Sequence, residues 1–199
     1  MSELVVLGEL PREWTLDDLA LLPDDGHRYE IVDGGLYVSP PPTSSHQVCA
    51  GRLDRVLDRA APPEIEVLQG VGVDLGKTVF IPDISVVLAE VASRDVPKFK
   101  PAEVLLVVEI VSPSSVSMDR LLKPARYAGA GIPSYWRIEL GRNSAEPIIA
   151  VYDLDGDKYR ETVVVEAGEQ VQVERPFRVT LVPADLCVPR TRPGARGVP

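Results

Sequence analysis

The sequence predicts a single-domain α/β protein in which a parallel crossover unit continues into an antiparallel extension. Three observations predict it. Residues 103–140 read as strand, helix, strand, the order that gives a right-handed parallel crossover. Near the start, "HRYEIVDGGLYVSP" alternates around Asp33-Gly34, a strong hairpin signal. From Pro147 onward, short alternating runs are separated by turn residues. The 199-residue length fits one domain, and 45% apolar with 26% charged residues supports an ordinary core.

The elements follow in order. "WTLDDLALLP" predicts a short helix, with Thr15 as N-cap, acids in its first turn and Pro23 beyond its end. After the hairpin, "PPPTSS" breaks the pattern, and Ser44 with Gln47 forms a capping box for a helix to about Ala60. Cys49, Leu53, Val56, Leu57 and Ala60 recur there at helical spacing. "EIEVLQGVGVDL" and "KTVFIPDISVVLA" read as two strands turning at Gly76-Lys77, and "SRDVPKFKPAE" as a polar loop. "SMDRLLKPARYAGAG" is helical in composition and ends in glycines. "PSYWRIEL", "IIAVYDL", "KYRETVVVE" and "QVQVE" are strands. The domain is placed at residues 1–188, followed by a disordered, mildly basic tail over 189–199.

Composition also narrows the function. A net charge of −9 argues against coating nucleic acid by bulk electrostatics, but it leaves room for a local basic groove. Two cysteines and two histidines without C-x-x-C or H-x-x-x-H spacing give no zinc motif, so Cys49 and Cys187 read as reduced, buried thiols. No apolar run approaches the roughly 18 residues of a membrane span. The acidic start "MSELVVLGELPREW" lacks the basic-then-apolar pattern of a leader. The expectation is a cytoplasmic protein with no membrane partner.

The chemistry centres on "EVLLVVEIVSPSS". Between Val104 and Val111 every residue is apolar except Glu109. A buried carboxylate costs several kcal/mol or more unless it is paired, protonated or bound to a metal. Asp83, directly after Pro82, is a second acid in an apolar strand. Two such acids on neighbouring strands suit magnesium, which takes one or two carboxylates and leaves positions for water and phosphate. Lys123, 14 residues after Glu109, is placed to orient water or to stabilise charge on a phosphate. Arg120, Lys123 and Arg126, with Arg94, Lys98 and Lys100 nearby, form a candidate phosphate-binding face.

These residues carry a resemblance. "RYEIVDGGLYVSPPPTSSHQ", "IPDISVV", "LVVEIVSPSS", "MDRLLKPARYAGAGIPSYWRIE" and "AVYDLDGDKYRE" resemble, in order, the Uma-two family of restriction endonucleases within the PD-(D/E)xK nuclease superfamily. The resemblance covers about residues 14–185. It implies a restriction-endonuclease-like fold, a central mixed β-sheet flanked by α-helices, and metal-dependent cleavage of DNA, with Mg2+ or Mn2+ as cofactor. It places the metal on Asp83 and Glu109 and the catalytic lysine at Lys123. It also makes Glu30, the acid of "RYE", and His46 candidates for the rim of the site, Glu30 as a further catalytic group and His46 in substrate binding; Arg120 and Arg126 join them in substrate binding on their charge alone. A homodimer would supply two sites for two strands. Two departures stand out: the superfamily's lysine position, two after the second acid, is Val111 here, and Pro124 directly follows Lys123. A residue before proline is disfavoured in the α conformation, which puts Lys123 at a kink or starts the helix only at Pro124.

Plainer readings stand beside these. Glu109 can be a buried acid paired with a structural Arg or Lys. Asp83 can shape a strand entrance, and Lys123 can form an i,i+4 pair with Asp119. Glu30 can be a polar position on a half-exposed strand, and His46 a solvated helix residue. The rival function is a catalytically inactive nucleic-acid-binding or protein-interaction module on the same fold. RNA or another nucleic acid is an alternative substrate, and no separate reading head is visible.

Overall fold

The computed structural model describes residues 13–112, 115–141 and 146–187; the tail expected over 189–199 lies outside them. Helix α1 (Leu16–Leu19) is closed by a capping box between Thr15 and Asp18. Strands β1 (Arg28–Val32) and β2 (Gly35–Ser39) form the expected hairpin. Asp33 and Gly34 both take positive φ, 49° and 79°, as a two-residue turn of this hand requires. Helix α2 (Ser44–Ala60) is capped by Thr43, one residue before the expected box, with the Thr43 hydroxyl accepting from His46 N–H at 3.3 Å.

The two long strands expected over 64–75 and 77–89 each divide in two. Strand β3 (Ile65–Leu68) and β4 (Gly72–Asp74) flank Gly70, whose φ is 73°. Strand β5 (Val79–Phe80) and β6 (Ile84–Leu88) flank Pro82. At each break the chain leaves one sheet for another. Glycine permits the left-handed backbone at the first break, and proline cannot donate to a ladder at the second. Alternation runs on past Gly70, and the apolar run 79–82 leads on into β6, so each segment reads as one strand.

Helix α3 (Ala89–Ala92) and strand β7 (Lys98–Phe99) follow, the latter inside the segment expected to be loop. Strand β8 (Val104–Val111) leads to a π-helical turn over Met118–Leu122 and helix α4 (Lys123–Gly129). Strand β9 (Ser134–Glu139) then lies parallel to β8, completing the crossover. Strands β10 (Ile148–Asp155) and β11 (Lys158–Val165) add antiparallel strands to the same sheet. Strands β12 (Val171–Val173) and β13 (Val179–Leu181) pair separately, and α5 (Pro183–Cys187) closes the described chain.

The central sheet has the order β11-β10-β9-β8-β6-β3 and is mixed; a smaller sheet has the order β2-β1-β5-β4-β7. On β8, Leu106, Val108 and Ile110 enter one core with Cys49, Leu53 and Leu57 of α2. Val107 faces the opposite core, with Phe80 and Phe99 of the smaller sheet and Tyr127 of α4. Both faces of β8 are therefore covered, which is why the strand reads as an unbroken apolar run. Cys49 and Cys187 are free, fully buried and in contact across α2 and α5.

Candidate functional site

Glu109 lies on the face of β8 that looks toward α4, because side chains alternate along a strand. The β6–β8 register pairs Ile84 with Val108, which brings Asp83, at the entrance of β6, beside Glu109. Asp83 grips β8 around that glutamate: its N–H donates to Val108 O at 3.1 Å, and Ile110 N–H donates to Asp83 Oδ2 at 2.7 Å. From β1, Arg28 and Glu30 project on one face at a spacing of two. Arg28 donates to Asp83 Oδ1 at 2.7 Å. Glu30 Oε1 accepts from Ile81 N–H at 2.7 Å, fastening the point where the chain passes between sheets. His46, in the first turn of α2, places Nε2 3.1 Å from Asp83 Oδ2.

Lys123 arrives from α4. Its Nζ lies 3.1 Å from Glu30 Oε1, 3.1 Å from Glu109 Oε1 and 3.6 Å from Asp119 Oδ1. It also sits 5.4 Å from the centre of the Phe80 ring. The structure thus resolves the question of Pro124. Lys123 N–H bonds to Met118 O, five residues back, and the regular helix begins at Lys123. In that wider register the Asp119 carbonyl would face the N–H of residue 124, which proline lacks. The Tyr135 hydroxyl donates to Asp119 O instead. A π turn with a tyrosine filling the missing bond accommodates Pro124 and aims the ammonium at β8.

These groups line a cleft of about 280 Å3 between β1, the Pro40–Pro42 segment, the start of α2, β8 and the π turn. The lining holds four buried acids, Glu30, Asp83, Glu109 and Asp119, against two fixed positive charges, Arg28 and Lys123. With every acid ionised and His46 neutral, two negative charges are in surplus. Burial alone would push Asp83 up, but the His46 hydrogen bond, the Arg28 charge and the Ile110 N–H hold it well below the usual carboxylate range. Glu109 goes the other way. Burial pushes it well up, Lys123 opposes, and Asp119, Asp83 and Glu30 add repulsion. Burial also raises Asp119, against Lys123 and Ser115. Lys123 is kept charged: its burial is outweighed by Glu109, Glu30, Asp119 and Asp83. Tyr127 donates to Glu109 Oε1 at 2.8 Å, and its hydroxyl is raised by burial and by Glu109.

The fold therefore gathers Glu30, His46, Asp83, Glu109 and Lys123 into one cleft. It does not bring Arg120 and Arg126 there. Arg120 binds both oxygens of Glu139 at 2.8 and 2.9 Å, and Arg126 pairs with Asp33. Arg94 and Lys98 pair with Glu103 and Asp74. The single basic face expected from the sequence is divided among carboxylates. Three members of the site were missed as such. Arg28 stands two residues before Glu30 on an alternating strand, and Asp119 and Tyr127 lie four before and four after Lys123. Strand and helix periodicity alone would have put all three on the right faces.

Among the described residues, no three His, Cys, Asp or Glu side chains form a ready metal-ligand set. The reason is visible: Lys123 stands where Glu30, Glu109 and Asp119 converge, and both Asp83 oxygens are engaged. Two buried atoms of the lining, His46 Nδ1 and Asp119 Oδ1, have no hydrogen-bond partner among the described residues. No described helix is long and apolar enough to cross a membrane.

A solved structure titled as "a putative nuclease belonging to DUF820 from Anabaena variabilis" is similar to this chain, with a TM-score of 0.67 and 21% identity. The match covers 87% of this chain and 97% of that one, and it bears out the restriction-endonuclease-like fold. No curated protein matches. The model of the family described as "Uma2: Putative restriction endonuclease" matches residues 16–186. The chain belongs to the Uma2 family.

Proposed function

We propose that the cleft hydrolyses DNA phosphodiester bonds with the help of magnesium or manganese. The observation that carries this reading is the gathering of four buried acids around two fixed positive charges in one accessible cleft, which fully ionised leaves two negative charges in surplus. A purely structural cluster would be expected to match its charges, because an uncompensated buried charge is costly. The candidate donors are carboxylate oxygens, the kind that a hard divalent ion prefers. Asp83 and Glu109 would hold it. When bound, such an ion polarises a phosphodiester and lowers the pKa of an attacking water.

The chain's own groups do the rest. Arg28, His46 and the Ile110 N–H keep Asp83 ionised and fixed in direction. Tyr127 anchors Glu109. Lys123 stabilises charge on the phosphate or orients the water, and Glu30 acts through Lys123 or a bridging water. His46 and the proline-rich rim line the cleft where the substrate would enter. Arg120 and Arg126, outside the cleft, would contact phosphates flanking the scissile one. Two copies acting as a homodimer would serve the two strands.

The test is nicking of supercoiled plasmid with manganese, magnesium or EDTA, comparing wild type with Lys123→Met. The expected result is metal-dependent nicking that falls by roughly 100-fold or more in the variant. Nicking that survives EDTA or is untouched by Lys123→Met contradicts the reading. Tight DNA binding without any cleavage returns the inactive binding module.

A further inference from the structure

A second pocket, of about 370 Å3, lies between α4 and the β9–β10–β11 part of the central sheet. It shares a wall with the cleft: Met118, Asp119 and Lys123 line the cleft, whereas Arg120, Pro124 and Ala125 line the pocket. Strand pairing sets its aromatic side. Tyr135 of β9 is opposite Tyr152 of β10, Tyr152 is opposite Glu161 of β11, and Tyr159 stands two residues before Glu161. All three tyrosines therefore face the same way. Their rings form a row, with Tyr135 5.6 Å from Tyr152 and stacked at 5.4 Å on Tyr159. The Tyr159 hydroxyl donates to Ile132 O at 3.0 Å, that of Tyr152 to Glu161 at 3.1 Å, and that of Tyr135 to Asp119 O. The rings are thus fixed before a ligand arrives, and what they offer it is aromatic surface.

Three cations stand around the rings. Arg137 lies 5.4 Å from the centre of the Tyr152 ring. Arg120 and Arg137 share one carboxylate, Glu139, so one positive charge is left between them. Lys158, exposed at the rim, has no ion pair among the described residues. Asp157 at the rim and Glu161 beside Tyr152 offset that charge, so affinity has to come mainly from the rings.

We propose that this pocket takes an unpaired nucleotide of the strand held in the cleft, its base against Tyr152 and Tyr159 and its phosphate toward Lys158 and Arg120. This rests on the reading of the cleft as a nuclease site and names the form of its substrate, a strand that is single over at least one nucleotide beside the scissile bond. A base inside a duplex has both faces covered by its neighbours, and only an unstacked one can lie against a ring. Aromatic walls with cations beside them hold single strands without reading their sequence. Stacking also lets a chain of net charge −9 hold nucleic acid without a broad basic surface. Leu121, 71% exposed on the shared wall, gives the strand an apolar ridge to cross.

The test is fluorescence anisotropy in EDTA with a short labelled oligothymidylate and a labelled hairpin duplex. Wild type is compared with Tyr152→Ala, Tyr152→Phe and Lys158→Met, and melting curves show which variants fold. Wild type should bind the single strand more tightly than the hairpin. Tyr152→Ala should weaken that binding about tenfold or more, the effect of one base losing its ring, and Tyr152→Phe should restore it. In Lys158→Met the slope of log K against log salt should shrink by about 0.7, one phosphate contact on a single strand. Unchanged binding by Tyr152→Ala, or tighter binding of the hairpin, overturns the proposal. If Tyr152→Ala does not fold, an unchanged salt slope in Lys158→Met overturns it. Thymidine monophosphate that competes as well as the oligonucleotide gives the pocket to a free nucleotide and overturns the strand. Plasmid nicking on the same samples separates the two readings. Nicking by wild type with unchanged binding by Tyr152→Ala strikes the pocket and leaves the cleft standing. No nicking with weakened binding by Tyr152→Ala strikes the nuclease and keeps the pocket as a site for single strands.

Discussion

Glu109 and Lys123, 14 residues apart in the chain, meet at 3.1 Å in a place where neither side chain is more than 4% exposed. The strand supplies the acid, and the crossover that leaves that strand returns the base over it. The contact balances only part of the charge, because Glu30, Asp83 and Asp119 share the same space, with Arg28 the one other fixed cation among the described residues of the lining.

That imbalance predicts a stability that depends on pH. Glu109 and Asp119 are both raised above their ordinary values, so the folded chain binds more protons than the unfolded one. The contribution is fully present below the unfolded carboxyl values of about 4 and is lost as pH rises through the raised ones. In EDTA, wild type should lose thermal stability as pH rises from acid to neutral. Glu109→Gln should flatten the profile and melt higher than wild type at pH 8. Melting curves across pH check this, and a variant less stable than wild type at pH 8 contradicts it.

Asp83 carries the opposite sign. Its lowered value gives stability that is present above about pH 4 and is lost as pH falls through the folded value. Arg28→Met removes one partner of a buried acid. The loss should be about 2 kcal/mol, less than for a wholly buried pair because water already reaches the guanidinium. Acid unfolding should begin at a higher pH in the variant, as followed by circular dichroism.

The Tyr135 hydroxyl fills the bond that Pro124 cannot make. Tyr135→Phe leaves the Asp119 carbonyl buried and unpartnered, at a cost of about 1–3 kcal/mol. For a domain of this size that is a fall of roughly 2–4 °C in Tm per kcal/mol. Because the bond sets the π turn, the variant should also weaken any nicking activity by misaiming Lys123. Equal Tm in the two proteins would remove the tyrosine from this explanation.

Much of this was legible in the sequence. The hairpin at Asp33-Gly34, the β8–β9 crossover and the acids Asp83 and Glu109 all announce themselves through local pattern. The sheet changes at Gly70 and Pro82 do not, because alternation runs on past the first, an apolar run spans the second, and only the tertiary pairing shows which sheet each half joins. The cap of α2 falls one residue before the one the sequence suggests, since Thr43 and Ser44 are both competent caps and the choice depends on where the chain leaves the proline segment. A uniform α register would aim Lys123 badly beside Pro124. A π turn, together with a hydroxyl from β9, is a solution that no local propensity encodes. Charge alone groups Arg120 and Arg126 with Lys123, but the partners that claim them, Glu139 and Asp33, lie on other elements.

The most direct measurement is manganese binding by calorimetry, wild type against Glu109→Gln, with melting curves to show that both are folded. The account predicts that wild type binds the ion and that the folded variant has lost most of that affinity. Equal binding by the two, or none by a folded wild type, contradicts it and makes Glu109 an acid held only for Lys123 and Tyr127.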